Sequence, residues 1–124
     1  MSKTAISVAV VDDDASVRKA LARLLSASSF APSTYGSAEE FLKSLKAAVP
    51  ECLVADLHMP DVTGFDLQRH LNRSGIKIPT IIITAYNEPG LREKCQTAGA
   101  SAFLLKPLHA ETLVSAISAA AVRR

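Results

Sequence analysis

Residues 79–84 read Pro79-Thr80-Ile81-Ile82-Ile83-Thr84, and this stretch decides the fold. Ile81, Ile82 and Ile83 are consecutive and β-branched. A strand points successive side chains to opposite faces, so an unbroken apolar run needs cover on both sides. The stretch predicts a strand over Pro79–Ile83, closed by Thr84, in a sheet sandwiched between helices.

The same pattern recurs in both directions. Ile6–Val11 is a Val-rich strand ending at Asp12-Asp13-Asp14. Cys52–Ala55 ends at Asp56, and Ala102–Leu105 ends at Lys106-Pro107. Phe30–Tyr35 is a weaker strand whose Pro32 suits a sheet edge. Between the strands, apolar residues recur at helical spacing. Val17, Ala20, Leu21, Leu24 and Leu25 share one face, with Arg18, Lys19 and Arg23 off it. A capping box is expected at Ser37 and Glu40, opening a helix with Phe41, Leu42 and Leu45. Met59–Gly64 is a loop punctuated by Pro60 and Gly64, and Phe65–Leu71 is a short helix. Leu91–Ala98 is a fourth helix closed by Gly99, and Leu113, Ala116, Ile117, Ala120 and Ala121 mark a fifth. Five alternations give an α/β chain, (βα)5, with a doubly wound five-stranded parallel sheet.

Composition narrows the function classes. A chain of 124 residues makes one domain. Apolar residues at 48% and charged residues at 21% exclude a disordered chain. Fourteen Lys and Arg against twelve Asp and Glu give a net charge of +2, without the basic excess of a nucleic-acid binder. Arg123-Arg124 reads as a frayed terminus. With no Trp and 5% aromatics, a base-stacking surface is not expected. No apolar run approaches the ~18 residues that span a bilayer. Met1–Ala5 lacks the apolar stretch of a signal peptide. Cys52 and Cys95 stand apart from each other and from any His, and read as buried hydrophobes in a reducing compartment. The chain is expected to be cytoplasmic, without membrane or direct nucleic-acid contact.

In an open α/β sheet, ligands bind beyond the carboxyl ends of the strands. Asp12, Asp13, Asp14, Asp56, Thr84 and Lys106 all stand there. Two carboxylates about 5 Å apart repel by roughly 3 kcal/mol at an effective dielectric near 20. Such a cluster needs a cation, or some of its members must take up protons. Oxygen ligands suit a hard ion, Mg²⁺ or Mn²⁺. With the Lys106 ammonium and the Thr84 hydroxyl added, the site suits a phosphoryl group, whose transfer needs mainly positioning and charge neutralisation. Asp56, on the central strand, is the candidate nucleophile for an acyl phosphate. No glycine-rich phosphate loop is present, so nucleotide binding is not supported. Asp14 reads as a helix N-cap, Asp61 as a turn residue, and His70 and His109 as solvated surface residues.

Val10-Val11-Asp12-Asp13-Asp14, Val54-Ala55-Asp56-Leu57-His58-Met59-Pro60-Asp61-Val62-Thr63-Gly64, Ile82-Ile83-Thr84-Ala85 and Leu105-Lys106-Pro107 together resemble the receiver domain of two-component response regulators. The likeness runs essentially end to end. It implies a flavodoxin-like sheet in the order 2-1-3-4-5. It also implies that Asp56 accepts a phosphoryl group from a sensor histidine kinase or a histidine phosphotransfer protein. Asp13 and Asp56 would be direct Mg²⁺ ligands, Asp12 would act through a water, and the His58 backbone carbonyl would complete the shell. Thr84 and Lys106 would bind phosphoryl oxygens, and Lys106-Pro107 would be a cis peptide. Phe103 would be the switch aromatic, swinging inward when Thr84 moves, without the hydroxyl that Tyr often supplies there. His58 and Tyr86, both bulky, would hinder the attacking water and lengthen the life of the phosphoform.

The resemblance further implies a switch surface formed by the fourth helix, fifth strand and fifth helix, with homodimerisation there on phosphorylation. The chain is similar to chemotaxis and nitrogen-fixation receivers. Ser37-Ala38-Glu39-Glu40-Phe41-Leu42 and Ala98-Gly99-Ala100-Ser101-Ala102-Phe103 resemble receivers that precede LuxR-type DNA-binding domains. Residues 1–124 are read as one receiver domain with no output domain in this chain: a stand-alone switch or a piece of a longer transcription regulator. Such a domain is not a turnover enzyme, beyond self-phosphorylation and self-dephosphorylation. Two other readings compete. One is a Mg²⁺-dependent phosphohydrolase of the haloacid-dehalogenase kind, which wants an acid where His58 stands. The other is a phosphorylation-independent pseudo-receiver, against which the intact acidic pocket, Thr84 and Lys106 argue.

Overall fold

Why the strands stack is visible in their burial. Ile81, Ile82 and Ile83 are all 0% exposed, as an apolar run covered on both faces requires. In the computed structural model, which describes residues 5–59 and 62–121, they form β4 (Thr80–Thr84). Pro60, Asp61 and the Arg123-Arg124 pair lie outside the described residues, as does most of Met1–Ala5.

The other strands are β1 (Ser7–Val11), β2 (Ala31–Tyr35), β3 (Cys52–Asp56) and β5 (Ala102–Leu105). Among the described residues they make one parallel sheet in the order β2-β1-β3-β4-β5. β3 is therefore central. β2 is an edge, which leaves room for Pro32 in its middle. The helices are α1 (Ala15–Ala27), α2 (Ala38–Ser44), α3 (Gly64–Arg73), α4 (Leu91–Thr97) and α5 (Ala110–Ala120).

Strand alternation sorts the core into two layers. Val8, Val10, Cys52, Val54, Ile81 and Ile83 pack with Leu21 and Leu25 of α1 and with Leu113 and Ile117 of α5. Ala9, Val11, Leu53, Ala55 and Ile82 pack with Phe41 of α2, Leu67 and Leu71 of α3, and Leu91 and Cys95 of α4. Each fully buried Leu or Ile contributes about 1.5–3 kcal/mol relative to exposure. Both cysteines are buried and free, and burial pushes the Cys52 thiol up to about 12.

Local signals set the helix ends with some differences from expectation. Asp14 caps α1, accepting from the amides of Ser16 and Val17. Ala20, placed on the apolar face by its spacing, is exposed, because α1 meets the sheet through Leu21 and Leu25. Ser37 caps the Glu40 amide at 3.1 Å, but Glu40 reaches one residue further back, accepting from the Gly36 amide at 3.2 Å. The reciprocal box is instead at Thr63 and Asp66, and it starts α3 before Phe65. Gly99 follows the α4 cap at φ 91°, the left-handed conformation expected of it.

Candidate functional site

The carboxyl ends of β1, β3, β4 and β5 bring Asp12, Asp56, Thr84 and Lys106 to one rim. Asp12 follows β1 and is 0% exposed. Every polar atom it owns has a partner. Its amide donates to the Tyr35 carbonyl at 3.2 Å. Its carbonyl accepts from Arg18 Nη1 at 2.7 Å. Oδ1 accepts from the Asp14 amide at 2.9 Å, and Oδ2 from Lys106 Nζ at 3.0 Å. A buried carboxylate is tolerable only when paired and hydrogen-bonded in this way.

Asp56 ends the central strand and is 5% exposed. Its Oδ1 accepts from the His58 amide at 3.2 Å, and its Oδ2 lies 3.6 Å from Lys106 Nζ. Burial, then repulsion from Asp12, push its pKa up, while Lys106 and the His58 amide offset part of the rise. Burial pulls the Lys106 ammonium down, but Asp12 and Asp56 outweigh it and its pKa ends raised. One ammonium is thus shared between two buried carboxylates. Asp13 is exposed, and a carboxylate oxygen from each of Asp12, Asp13 and Asp56 lies within 4.8 Å of the others. This set of hard oxygen donors fits a hard divalent cation.

Gly64 lets the loop close on this rim. A Cβ there would stand 3.1 Å from the Asp56 carbonyl and 3.2 Å from the Leu57 Cα. The reason for glycine at this position is close backbone approach.

The β4–β5 side is arranged differently. The Thr84 side chain is buried, and its hydroxyl accepts from the Tyr86 amide at 3.1 Å and reaches the Tyr86 carbonyl at 3.4 Å. Tyr86 is 62% exposed, and its ring meets the His58 ring edge-on, with centroids 5.3 Å apart. Phe103 is buried in the layer that holds Leu91 and Cys95, so its ring is already inward, and Arg92 Cζ stands 5.6 Å from its centroid. The Lys106-Pro107 peptide is cis. His70 and His109 are exposed.

Sequence reasoning assembled Asp12, Asp13, Asp56, Thr84 and Lys106 at one rim, and the structure brings them there. It passed over Arg18, read only as a residue off the helix's apolar face. It also passed over Arg92. Arg18 reaches a main-chain carbonyl, that of Asp12, which no side-chain pattern marks, and Arg92 depends on Phe103 from the following strand.

The chain is similar to known proteins along nearly its whole length. The model of the response regulator receiver domain matches residues 8–118. The transcriptional regulatory protein TdiR of Thauera aromatica is 38% identical over 116 residues, 94% of this chain and 51% of that protein. The transcriptional regulatory protein FixJ of Rhizobium meliloti is 38% identical over 117 residues, 94% of this chain and 57% of that protein. A crystal structure of FixJ-N superposes with a TM-score of 0.87 at 36% identity, covering 98% of this chain and 95% of that one. A response regulator receiver protein from Burkholderia phymatum superposes with a TM-score of 0.83 at 40% identity, covering 94% of each chain. The chain spans about half the length of the curated relatives it matches. By this match and by its fold, the chain belongs to the response regulator receiver family of two-component signalling, whose members are signal switches and not classical enzymes.

Proposed function

We propose that Asp56 is the phosphoacceptor, taking a phosphoryl group from the phosphohistidine of a sensor kinase or phosphotransfer protein. A carboxylate oxygen of Asp56 forms the new bond to phosphorus as the bond to the imidazole nitrogen breaks. The observation that carries this reading is the place of Asp56: end of the central strand, with Asp12, Asp13 and Lys106 around it. Asp13 and Asp56 would hold Mg²⁺, or Mn²⁺ in its place, with Asp12 through a water and the His58 carbonyl as a further donor. When bound, the cation neutralises charge on the carboxylates and on the phosphoryl oxygens.

The protein's own groups do the rest. Lys106, shared between Asp12 and Asp56, pairs with a phosphoryl oxygen. Thr84 gives up its bonds to Tyr86 and donates its hydroxyl to another. That exchange moves the β4–α4 segment relative to β5 and Phe103, and so biases the surface made by α4, β5 and α5. His58 and Tyr86 cover the approach of water and lengthen the life of the phosphoform. A homodimer through the α4–β5–α5 surface and a transcriptional output domain elsewhere in the regulator complete the proposal.

Incubation with Mg²⁺ and acetyl phosphate, read by intact mass, tests it. One phosphoryl adduct is expected on the wild type and none on Asp56→Asn. Absence of the adduct, or its survival in Asp56→Asn, sinks the assignment. A decay half-life that shortens little in the double variant His58→Ala/Tyr86→Ala removes the covering role.

A further inference from the structure

We infer that Arg18 is a positioning residue for the acidic pocket: its guanidinium fixes the main chain carrying Asp12 and Asp13, in a slot that Gly36 keeps open. The inference rests on the proposed phosphoacceptor reading and deepens it.

Side chains on a helix lean toward its N-terminus. Arg18, in the first turn of α1, therefore reaches back past the Asp14 cap. Its Nη1 donates to the Asp12 carbonyl at 2.7 Å. That carbonyl belongs to the planar peptide joining Asp12 to Asp13, so one bond fixes the unit from which both carboxylates spring. Gly36 makes the room. A Cβ there would stand 3.3 Å from Arg18 Nη1 and 3.5 Å from its Cζ. Gly36 is not among the glycines in the left-handed region, so a side chain there would act by crowding the guanidinium and not by straining the backbone. The Gly36 amide is held in turn by Glu40 at 3.2 Å. The β2–α2 turn is thus tied through Arg18 to the acidic loop.

Helix electrostatics do not account for this arginine. A cation in the first turn opposes the helix dipole, and the acidic group that offsets it is the cap residue Asp14, one position outside the helix. Arg18 is also partly buried.

Charge and position make opposite forecasts. Removing a cation beside three carboxylates would, by charge alone, tighten binding of a divalent cation. Loosening the peptide that orients two of those carboxylates weakens it. Groups that orient metal ligands typically account for about 10–100-fold in affinity.

The test is calorimetric titration of Mg²⁺ into the wild type, Arg18→Ala, Arg18→Lys and Gly36→Leu, each checked for folding by circular dichroism. Arg18→Ala is expected to weaken Mg²⁺ binding about tenfold or more. Arg18→Lys, which keeps a donor, should recover part of the loss. Gly36→Leu, which displaces the guanidinium while keeping it, should reproduce the loss. At saturating Mg²⁺, the initial rate of labelling by acetyl phosphate should return close to wild type in all three. Unchanged or tighter Mg²⁺ binding by Arg18→Ala overturns the inference. If Arg18→Ala does not fold, unchanged binding in both Arg18→Lys and Gly36→Leu overturns it instead. A wild type that binds no Mg²⁺ overturns the phosphoacceptor reading itself, which separates the two failures.

Discussion

The two halves of the site are built on different terms. On the β1–β3 side, Asp12 has a partner for every polar atom, and Asp14 caps the thirteen-residue α1 through two amides. On the β4–β5 side, the Thr84 hydroxyl bonds only to the backbone of its own loop. Residues 85–90 are all exposed, and α4 is seven residues long behind Gly90, with no side-chain cap. Few buried contacts and exposed hydrogen bonds mark the segments that open most easily. One half is therefore suited to holding charge in a fixed geometry, and the other to exchanging partners.

The sharpest way to break this contrast is to remove the charge the fixed half exists to hold. Asp56→Asn should abolish phosphorylation altogether and yet stabilise the fold. Folding raises the Asp56 pKa, so the folded state keeps that proton longer than the unfolded chain. Between the ordinary value of 3.8 and the raised one, stability falls as pH rises, and above the raised value the cost is complete. The melting temperature of Asp56→Asn should exceed that of wild type at neutral pH, by about 4 °C per kcal/mol relieved. The gap should close as pH drops through the raised pKa toward 3.8. A constant gap across that window would mean that the buried charge of Asp56 is not what the substitution relieves.

Lys106→Ala comes next. It leaves Asp12 and Asp56 buried and facing each other without the shared ammonium. Breaking a buried pair costs up to 3–5 kcal/mol; with Lys106 one-fifth exposed, about 3 kcal/mol is the upper end here. Mg²⁺ should restore most of the lost melting temperature, because it supplies the missing charge. Failure of Mg²⁺ to do so would separate Lys106 from the acidic cluster.

Thr84→Ala tests the mobile half. Its hydroxyl bonds lie at a loop that water can reach, so the stability cost should stay near about 1 kcal/mol. Labelling of Asp56 should persist, while any change that phosphorylation makes in hydrogen exchange over residues 85–105 should be lost. An undiminished change would move the switch away from Thr84. Arg92→Ala is the mildest of these substitutions. Loss of the cation–π contact with Phe103 is worth about 0.5–1 kcal/mol at an exposed site. It should show as faster amide exchange in β5 with little change elsewhere.

The same contrast explains what could be read from the sequence. β4 was legible because three β-branched residues in a row admit few other placements. The acidic rim was legible because parallel strands must deliver their carboxyl ends to one edge. Arg18 was not, because its partner is the main-chain carbonyl of Asp12, the slot beside it is lined by Gly36 from another strand–helix turn, and helical spacing places it only off the apolar face. The box at Ser37 and Glu40 was half right: the carboxylate found the Gly36 amide, one residue beyond the cap. Thr63 and Gly64 were read as loop because Pro60 and Gly64 drew the boundary at glycine, and so the box that Thr63 makes with Asp66 was missed. Gly64 is in fact the first residue of α3, chosen for its approach to β3.

The partition of the core into two layers has a consequence for how substitutions combine. Ile82 is a chain neighbour of both Ile81 and Ile83, but its side chain lies in the other layer. Energetic coupling follows contact and shared partners, not proximity in sequence. Changes at Ile81 and Ile83 should therefore interact, while changes at Leu67 of α3 and Leu113 of α5, in different layers, should sum. The sheet thus acts as an insulator between two independently mutable interiors. The face bearing α1 and α5 can drift to suit new partners while the face under α2, α3 and α4 keeps its packing. Only the rim, where β1, β3, β4 and β5 end together, obliges the two to change in step.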